Sequence, residues 1–510
     1  MTERYVCVHG HFYQPPRENA WLEAIEAQDT AHPYHDWNER ITAECYRPNS
    51  AAGLLDDEGR VVRTVNNYAL MSYNVGPTLL AWMERHAPDV YAAILAADRE
   101  SRARFSGHGT ALAQAHSHMI LPLANRRDKV TQVRWGIRDF TYRFGRLPEG
   151  MWLPETAVDV ETLEVLAAQG IRFTILAPQQ ARRARPEAGA AAADDGWQDV
   201  GGGSIDPTTA YTQRLPAGRT IALFFYDGAI ARAVAFEGIL QSGGQFVQRL
   251  LGSFLDARPW PQLVHIATDG ESYGHHHRHG EMTLAYALLT FESGTQPRLT
   301  TYGEFLHRHP PTQAVEVAEN TAWSCAHGVE RWRSDCGCNS GRYPGWNQQW
   351  RTPLREALDW LRDALAPRYE ARAGDLLRDP WAARDDYIDV VLDRSVPSLE
   401  RYFARHAARP LNQNEQATAL DLLEMQRQAM LMYASDGWFF DDISGMETAQ
   451  LLRHAGRAID LAGHVFAESL EPEFRKRLEA AVSNVPEAGN GASIYEQEMR
   501  RLRSARRDAP

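Results

Sequence analysis

Apolar and polar positions follow two alternating patterns along the first 310 residues of the chain. Short runs that are apolar on both faces, as in buried parallel strands, alternate with stretches that carry apolar residues at helical spacing. The predicted strands are Tyr5–Val8, Ala69–Tyr73, Phe173–Ala177, Ile221–Tyr226 and Leu263–Thr268. The segments Thr78–His86 and Val158–Gly170 are predicted helices. Alternating strands and helices predict a parallel α/β sheet, and at this chain length a barrel is the leading candidate.

The pattern is helical in the last third of the chain. One predicted helix face carries Leu354, Leu358, Leu361 and Leu365. Two further predicted helices are Leu420–Met432 and Leu451–Phe466. This spacing is typical of helices that bury one side against each other.

These changes of pattern suggest three regions. We expect a catalytic domain over residues 1–310, a Cys- and Trp-rich connecting segment over 311–350 that contributes to the cleft, and an α-helical domain over 351–510. Residues 181–212 are rich in Ala, Gly, Arg and Asp, which predicts a flexible insertion in the first domain.

Composition narrows the class of protein. The chain has 510 residues, is 44% hydrophobic and carries a formal net charge of −12, which argues against a nucleic-acid partner. It contains neither an apolar stretch of membrane-spanning length nor a recognisable signal segment. Its five cysteines are an odd number and do not suggest a disulfide framework. We therefore expect a cytoplasmic protein without a membrane partner.

Two acidic residues follow apolar runs. Glu155 comes directly after Trp152-Leu153-Pro154, and Asp269 opens the segment Asp-Gly-Glu-Ser-Tyr-Gly-His. Cleavage of a glycosidic bond requires one ionised carboxylate and one carboxyl that holds a proton. A tryptophan beside the acid offers a flat face for a sugar ring. An acidic cap on the following helix explains Glu155 equally well.

Histidines accompany both acids. His9 and His11 follow the first predicted strand, His118 precedes an apolar run, and His275 to His277 follow Asp269. They fit hydrogen bonding to sugar hydroxyls, or zinc binding as in metal-dependent carbohydrate deacetylases and zinc-dependent mannosidases. No pair shows a repeated ligand spacing, and a metal does not explain the segment that ends at Glu155. We expect no metal and no cofactor here.

The connecting segment contains a cluster of possible soft ligands. Cys325-Ala326-His327 and Cys336-Gly337-Cys338 provide the residue types of a Cys3His zinc site, but not the spacing of a CxxC pair. Reduced cysteines or a redox-labile pair explain the same residues equally well.

Aromatic residues in this region and beyond are candidates for sugar contact. Trp323 and Trp332 flank the cysteines, and packing in the core is the simpler explanation for most such tryptophans. Asp436 and Trp438 lie in an aromatic and acidic segment that interrupts the helical pattern. This segment forms either a loop at the cleft or an aromatic plug between helices.

Taken together, the motifs resemble glycoside hydrolase family 57. The resemblance rests on five blocks: His9–Pro15, His118–Pro122, Gly150–Glu155, Asp269–His275 and Trp323–Trp332. It implies an incomplete (β/α)7 barrel followed by an α-helical bundle. It also implies a retaining mechanism on α-glucans, either α-1,4-linked glucose polymers or maltooligosaccharides, with no required metal.

The resemblance assigns roles to individual residues. It implies that Glu155 is the nucleophile and Asp269 the general acid/base, with carboxyl groups about 5–5.5 Å apart rather than the roughly 6.5–9.5 Å of inverting enzymes. The implied substrate-binding residues are His9, His11, Gln14, His118, Trp152, Glu271, His275, Trp323, His327, Trp332, Asp436 and Trp438.

The chain also departs from the family pattern. Its first block is longer than the usual His-Gln-Pro, and its fifth block contains cysteines. Hydrolysis, 4-α-glucanotransferase activity and branching are therefore all open outcomes of the same chemistry. A glucan-binding protein without activity is the remaining alternative.

Overall fold

Strands and helices are mixed along the chain. The computed structural model describes residues 2–56, 58–187, 196–294 and 297–508, with side chains up to residue 502. The strands are β1 (Arg4–Phe12), β2 (Ala52–Leu55), β3 (Val61–Val65), β4 (Ser72–Val75), β5 (Ala113–Gln114), β6 (Met151–Trp152), β7 (Phe173–Leu176), β8 (Ala181–Pro186), β9 (Gln198–Asp199), β10 (Ala210–Arg214), β11 (Thr220–Phe225), β12 (Gln262–Asp269), β13 (Arg298–Leu299) and β14 (Gln313–Val317).

The α-helices occupy both halves of the chain. They are α1 (Trp37–Ile41), α2 (Arg47–Ser50), α3 (Pro77–His86), α4 (Pro88–Arg104), α5 (Arg126–Phe144), α6 (Val160–Ala168), α7 (Gly228–Phe236), α8 (Gly243–Leu251), α9 (Gly280–Ser293), α10 (Tyr302–Arg308), α11 (Arg351–Gly374), α12 (Pro380–Asp386), α13 (Ile388–Leu392), α14 (Val396–His406), α15 (Gln413–Leu431), α16 (Asp436–Phe439), α17 (Met446–Phe466), α18 (Glu471–Leu478) and α19 (Gly491–Asp508). Among the described helices, none combines the length and apolar character that spanning a lipid bilayer requires.

The chain divides into two compact units. The first contains the segment that ends at Gln14, together with Ala27–Ala115 and Phe140–Trp323. The second contains Pro15–Glu26, His116–Asp139 and the chain from Ser324 onward.

Parallel strands form the core of the first unit. β1 pairs with β12 from Arg4 opposite Gln262 to His11 opposite Asp269, and also pairs with β4 and β13. Parallel pairs also join β5 to β6 and β7 to β11. Single parallel bridges link β4 to the residues before β5 and link Gly150 to Phe173 of β7. A series of seven parallel strands therefore runs in the order β12-β1-β4-β5-β6-β7-β11.

A second group of strands extends from β11. β10 is antiparallel to β11 and continues through β14 and β8 to β9. Strands β8, β9 and the start of β10 belong to the segment 181–212, for which we predicted an insertion. Residues 188–195 of that segment lie outside the described residues.

Local chemistry fixes where the first unit's elements begin and end. The side chains of Asp159 and Asp227 accept hydrogen bonds from backbone N–H groups at the starts of α6 and α7. The 3-10 turn Asn67–Ala69, capped by Asn66, takes up the start of the predicted strand Ala69–Tyr73, so β4 begins only at Ser72.

The second unit is built mainly from helices. α11 buries the four leucines whose spacing predicted it. α15 begins with a capping box between Asn412 and Glu415, and α15 and α17 each bury one long face. These buried faces form the apolar core of the unit.

Candidate active site

Two buried histidines of β1 share one asparagine. His9 Nε2 lies 3.1 Å from Asn74 Oδ1, and Asn74 Nδ2 lies 2.9 Å from His11 Nδ1 and 2.8 Å from Gln114 Oε1. His9 Nδ1 lies 2.9 Å from Ser72 Oγ. Because alternate residues of a strand point to the same face, both imidazoles lie on one side of β1.

The network also sets the protonation of these histidines. Burial lowers the pKa of His9 and of His11 to about 3, so both rings are neutral near pH 7. The amide N–H of Asn74 donates to His11 Nδ1, which places the proton of His11 on Nε2. His9 Nε2 is the donor to Asn74 Oδ1. Two neutral imidazoles are thus held in defined tautomers.

Trp152 of β6 lies against both imidazoles. Its ring stacks on His9 and His11 with centroid distances of 4.9 Å in each case. The side chain is fully buried, and its indole N–H has no hydrogen-bond partner among the described residues. Trp152 therefore has no solvent-exposed face on which a sugar could stack, contrary to the role expected from its sequence position. The Trp152 ring instead packs against both imidazoles and holds them in place.

Glu155 is held in an uncommon backbone conformation. It has φ 56° and ψ 20°, and the following Thr156 has φ 50°. Left-handed values are rare outside glycine and are strained for a β-branched residue such as threonine. Gln180 donates from Nε2 to the Thr156 carbonyl at 2.8 Å and accepts from Thr156 Oγ1 at 2.8 Å. These hydrogen bonds stabilise the strained turn.

Trp323 contacts Glu155 through two hydrogen bonds. Its indole N–H donates to Glu155 Oε2 at 2.9 Å, and its backbone N–H donates to the Glu155 carbonyl at 3.0 Å. The Trp323 ring meets Trp152 edge-on at 5.1 Å. Trp323 therefore fixes the Glu155 carboxylate beside the pair of histidines.

Asp269 is the last residue of β12 and lies opposite His11 in the register. The following Gly270 is required there, because a Cβ would come within 2.3 Å of the Phe12 ring. Burial raises the pKa of the Tyr226 hydroxyl, and the Asp269 charge raises it further. The Tyr226 ring in turn contacts Trp323, the residue that binds Glu155, with a centroid distance of 6.4 Å. Asp269 is exposed and Glu155 is half-buried.

Glu271 lies inside the protein beside this site. Its Oε1 accepts hydrogen bonds from the backbone N–H of Tyr13, at 3.0 Å, and from the Tyr46 hydroxyl, at 2.5 Å. Burial raises the pKa of Glu271 to about 7, and these hydrogen bonds oppose the increase. Gln14 joins the same cluster through a hydrogen bond to Tyr46. Glu271 and Gln14 thus anchor the segment that follows β1.

His275 contacts a different set of residues. Its Nδ1 binds Glu44, and its ring lies 6.1 Å from Trp37 and 5.0 Å from His276. Burial favours a higher pKa for Glu44, but hydrogen bonds from His275 and Arg40 lower it. The described contacts of His275 therefore run toward α1 and the π-helical turn Thr42–Tyr46.

The other candidate residues belong to the second unit and gather around Ser435. The Ser435 backbone N–H donates to the His118 carbonyl at 3.0 Å, and its carbonyl accepts from the Trp332 indole at 3.2 Å. Asp436 and Trp438 lie in α16, which begins at the next residue. Trp332 and Trp438 are fully buried, which gives both a packing role in this unit. His327 instead lies among Cys325, Cys336 and Cys338.

Sequence reasoning missed several site residues. Asn74, Gln180, Tyr46 and Tyr226 are buried polar or aromatic residues whose roles come from long-range hydrogen bonds and ring contacts. Of these four residues, only Asn74 and Tyr226 could have been recognised from the sequence. Each lies at the end of a predicted strand, where barrel enzymes place functional residues.

Two carboxylates, neutral imidazoles and aromatic rings at the ends of parallel strands are typical of a glycosidase. The sequence agrees with this class, since the model of Glycosyl hydrolase family 57 matches residues 25–318. The chain belongs to glycosyl hydrolase family 57. A second model, Domain of unknown function (DUF3536), matches residues 346–506. A comparison of the chain with curated proteins found no match.

Solved structures with the same fold include three enzymes. An exo-type maltose-forming amylase from Pyrococcus sp. ST04 has a TM-score of 0.65 at 14% identity, over 98% of this chain and 92% of that one. A family 57 branching enzyme from Thermococcus kodakaraensis has a TM-score of 0.54 at 13% identity, over 93% and 94%. A 4-alpha-glucanotransferase from Thermococcus litoralis has a TM-score of 0.53 at 14% identity, over 91% and 60%.

Proposed function

We propose that the protein is a retaining enzyme that acts on α-glucans by double displacement, with Glu155 as nucleophile and Asp269 as general acid/base. The observation that carries this proposal is the position of Glu155. A strained backbone and two hydrogen bonds from Trp323 hold Glu155 in place, and the Trp323 ring contacts Tyr226, which is close enough to Asp269 for that charge to raise the tyrosine pKa. Family membership supports the reaction class.

In the first step, a Glu155 oxygen bonds to the anomeric carbon as the bond to the leaving oxygen breaks. The proton of Asp269 moves to that oxygen, which leaves a glycosyl-enzyme and an ionised Asp269. In the second step, an acceptor hydroxyl gives its proton to Asp269 and attacks the anomeric carbon, which releases Glu155.

The strained backbone at Glu155 positions the nucleophile for this reaction. Left-handed residues destabilise the fold by about 1–3 kcal/mol each, and they persist only where the surrounding structure holds them. The hydrogen bonds of Gln180 and Trp323 provide that support. The nucleophile is thereby positioned before substrate binds, which reduces the reorganisation needed in the transition state.

The neutral histidines suit an oxocarbenium-like transition state. A protonated imidazole beside the sugar ring would repel the developing positive charge. Burial keeps His9 and His11 uncharged, so the carboxylates dominate the local field.

The acceptor decides the product. Water gives hydrolysis, and a sugar hydroxyl gives transfer or branching. The structural relatives include a maltose-forming amylase, a 4-alpha-glucanotransferase and a branching enzyme. This range supports an α-glucan, either a polymer or a maltooligosaccharide, as the substrate.

The same proposal includes the barrel architecture of the first unit and the helical bundle of the second. The seven strands from β12 to β11 are all parallel, and the Asp227 N–H donates to the His265 carbonyl of β12 at 2.8 Å, just after β11 ends. We infer an incomplete (β/α)7 barrel. It is least completely closed between β11 and β12, where this hydrogen bond joins the two ends of the strand series. The helices of the second unit correspond to an α-helical bundle.

The proposal is tested by incubating the protein with maltoheptaose and with amylose and resolving the products by size and linkage. Glu155→Gln should lower turnover by about 10³-fold or more while the unfolding temperature stays near that of wild type. Glu237→Gln, at an exposed glutamate of the same unit, is the matched control. A Glu155→Gln variant with wild-type turnover would end the assignment.

A further inference from the structure

Four side chains of the second unit converge outside the proposed active site. Cys325, His327, Cys336 and Cys338 each place one ligand atom so that all four atoms lie within 4.8 Å of one another. Cys325 Sγ is 4.0 Å from Cys336 Sγ and 3.9 Å from Cys338 Sγ. Cys338 Sγ is 3.5 Å from His327 Nδ1. A disulfide needs sulfurs about 2.05 Å apart, so these cysteines are free thiols.

The separations match those around a tetrahedral zinc ion. With Zn–S near 2.3 Å and Zn–N near 2.0–2.1 Å, tetrahedral angles place two sulfurs about 3.8 Å apart and a sulfur and a nitrogen about 3.5 Å apart. The three measured distances are 4.0, 3.9 and 3.5 Å. These three distances therefore fit a Cys3His site around one zinc ion.

The backbone around the cluster is arranged to stabilise thiolates. Backbone N–H groups of Arg331 and His327 donate to Cys325 Sγ, and that of Ala326 donates to Cys338 Sγ. Gly337, between the two paired cysteines, has φ 79°, a conformation that favours glycine. The turn brings Cys336 and Cys338 onto the same centre.

Two buried arginines supply an independent observation. Arg351 is fully buried, its Nη1 lies 3.9 Å from Cys336 Sγ, and its Nε has no hydrogen-bond partner among the described residues. Arg331 is also buried and donates to the Phe439 carbonyl at 2.8 Å. Among the described side chains, neither arginine forms an ion pair with a carboxylate. Buried cations of this kind need a negative charge nearby.

We propose that Cys325, His327, Cys336 and Cys338 bind one zinc ion. Three thiolates, a neutral imidazole and Zn²⁺ together carry a charge of −1, which places a negative charge beside the buried Arg351 and Arg331. Four protein ligands leave no open position for water or substrate, so the site is structural rather than catalytic. Thiolate-rich ligands select zinc over the hard cations Mg²⁺ and Ca²⁺.

The ion cross-links a part of the second unit with little regular structure of its own. The ligands lie in the irregular segment before α11, and Arg351 is the first residue of that helix. Arg351 also donates to the Phe440 carbonyl just after α16, at 3.3 Å. Through Arg351, the zinc site is therefore linked to the start of α11 and to the residue that follows α16. His327 becomes a metal ligand instead of the sugar contact expected from the sequence.

Metal analysis of the purified full-length protein tests this site. We expect one zinc per chain after gel filtration, and a loss of most of that zinc in Cys336→Ala and Cys338→Ala. Cys7→Ala, at a buried cysteine of β1, is the matched control and should retain zinc. A cobalt-exchanged protein should show the intense visible bands of a tetrahedral thiolate site. Wild-type protein that neither contains zinc nor takes up cobalt would overturn the proposal.

A second measurement avoids variants that fail to fold. Titration of the wild-type protein with an organomercurial should release zinc in step with modification of three thiols, as reported by a zinc-binding dye. Modification of the thiols without zinc release would also overturn the proposal. The zinc proposal and the catalytic proposal are tested independently. Glu155→Gln should abolish most turnover but leave the zinc content unchanged.

Discussion

Trp323 holds Glu155 at two points, with its indole N–H on Oε2 at 2.9 Å and its backbone N–H on the carbonyl oxygen at 3.0 Å. The two residues are 168 positions apart in the sequence. The backbone contact fixes the strained turn, and the side-chain contact fixes the carboxylate. Trp323 therefore contributes to both the position and the orientation of the proposed nucleophile.

Trp323→Phe should lower kcat by about 10- to 100-fold, because a hydrogen bond to a charged group contributes about 1.5–3 kcal/mol. The phenyl ring retains most of the packing, so the unfolding temperature should change little. Steady-state kinetics on maltoheptaose measure the effect. The control is Trp260→Phe, which removes a comparable indole hydrogen bond, to Thr208, elsewhere in the first unit. Equal losses in both variants would count against a specific role for Trp323.

Asp269→Asn should slow cleavage of maltooligosaccharides by about 10²- to 10⁴-fold, because the leaving sugar then departs without a proton. For the same variant, kcat/KM on a maltosyl fluoride, which reports formation of the glycosyl-enzyme, should fall far less, since fluoride leaves without protonation. Comparing kcat/KM for the two substrates on one variant provides an internal control for folding. A similar loss of kcat/KM on both substrates would contradict the general-acid role.

Glu271 should make stability depend on pH. Burial raises its pKa from 4.5 to about 7, so the folded protein binds this proton more tightly than the unfolded chain. The stabilisation is fully present below about pH 4.5 and is lost as the pH rises through about 7. Urea unfolding of Glu271→Gln at pH 5 and pH 8 should show a smaller fall in stability than wild type. The exposed Glu237→Gln should follow wild type, and an unchanged slope in Glu271→Gln would refute the assignment.

Gln180→Ala should destabilise the protein by about 2 kcal/mol or more, because it leaves the buried Thr156 carbonyl and hydroxyl without their partner. It should also lower kcat, since the strained turn at Glu155 loses support. Gln213→Ala removes another buried glutamine of the same unit, hydrogen-bonded to Val317 and Arg214, and should affect stability alone. Chemical unfolding and kinetics on the same samples separate the two effects.

The sequence predicted much of the fold but less of the site. Long apolar runs located β1, β7, β11 and β12, because burial on both faces leaves a strong local pattern. β5 and β6 were missed, since each has only two residues. The apolar runs before Glu155 and Asp269 brought both acids forward as candidates, the family resemblance assigned their separate roles, and these roles stay predictions.

Three-dimensional contacts explain what local patterns did not show. Trp152 was expected to face a sugar, yet His9 and His11 cover it, which depends on how β6 lies relative to β1. The left-handed conformation of Glu155 depends on hydrogen bonds from Trp323, far away in the sequence. The cysteine spacing suggested no familiar zinc motif, although the folded chain brings all four ligand atoms together.

The long-range bond between Trp323 and Glu155 has a consequence for biosynthesis. A ribosome that has made the first 318 residues has completed the segment matched by the family model, but it has not yet added the tryptophan that locks Glu155. In a growing chain, Glu155 therefore lacks both hydrogen bonds from Trp323 until that residue has been added. The turn that holds Glu155 can reach its full geometry only after the segment around Trp323 has folded against it.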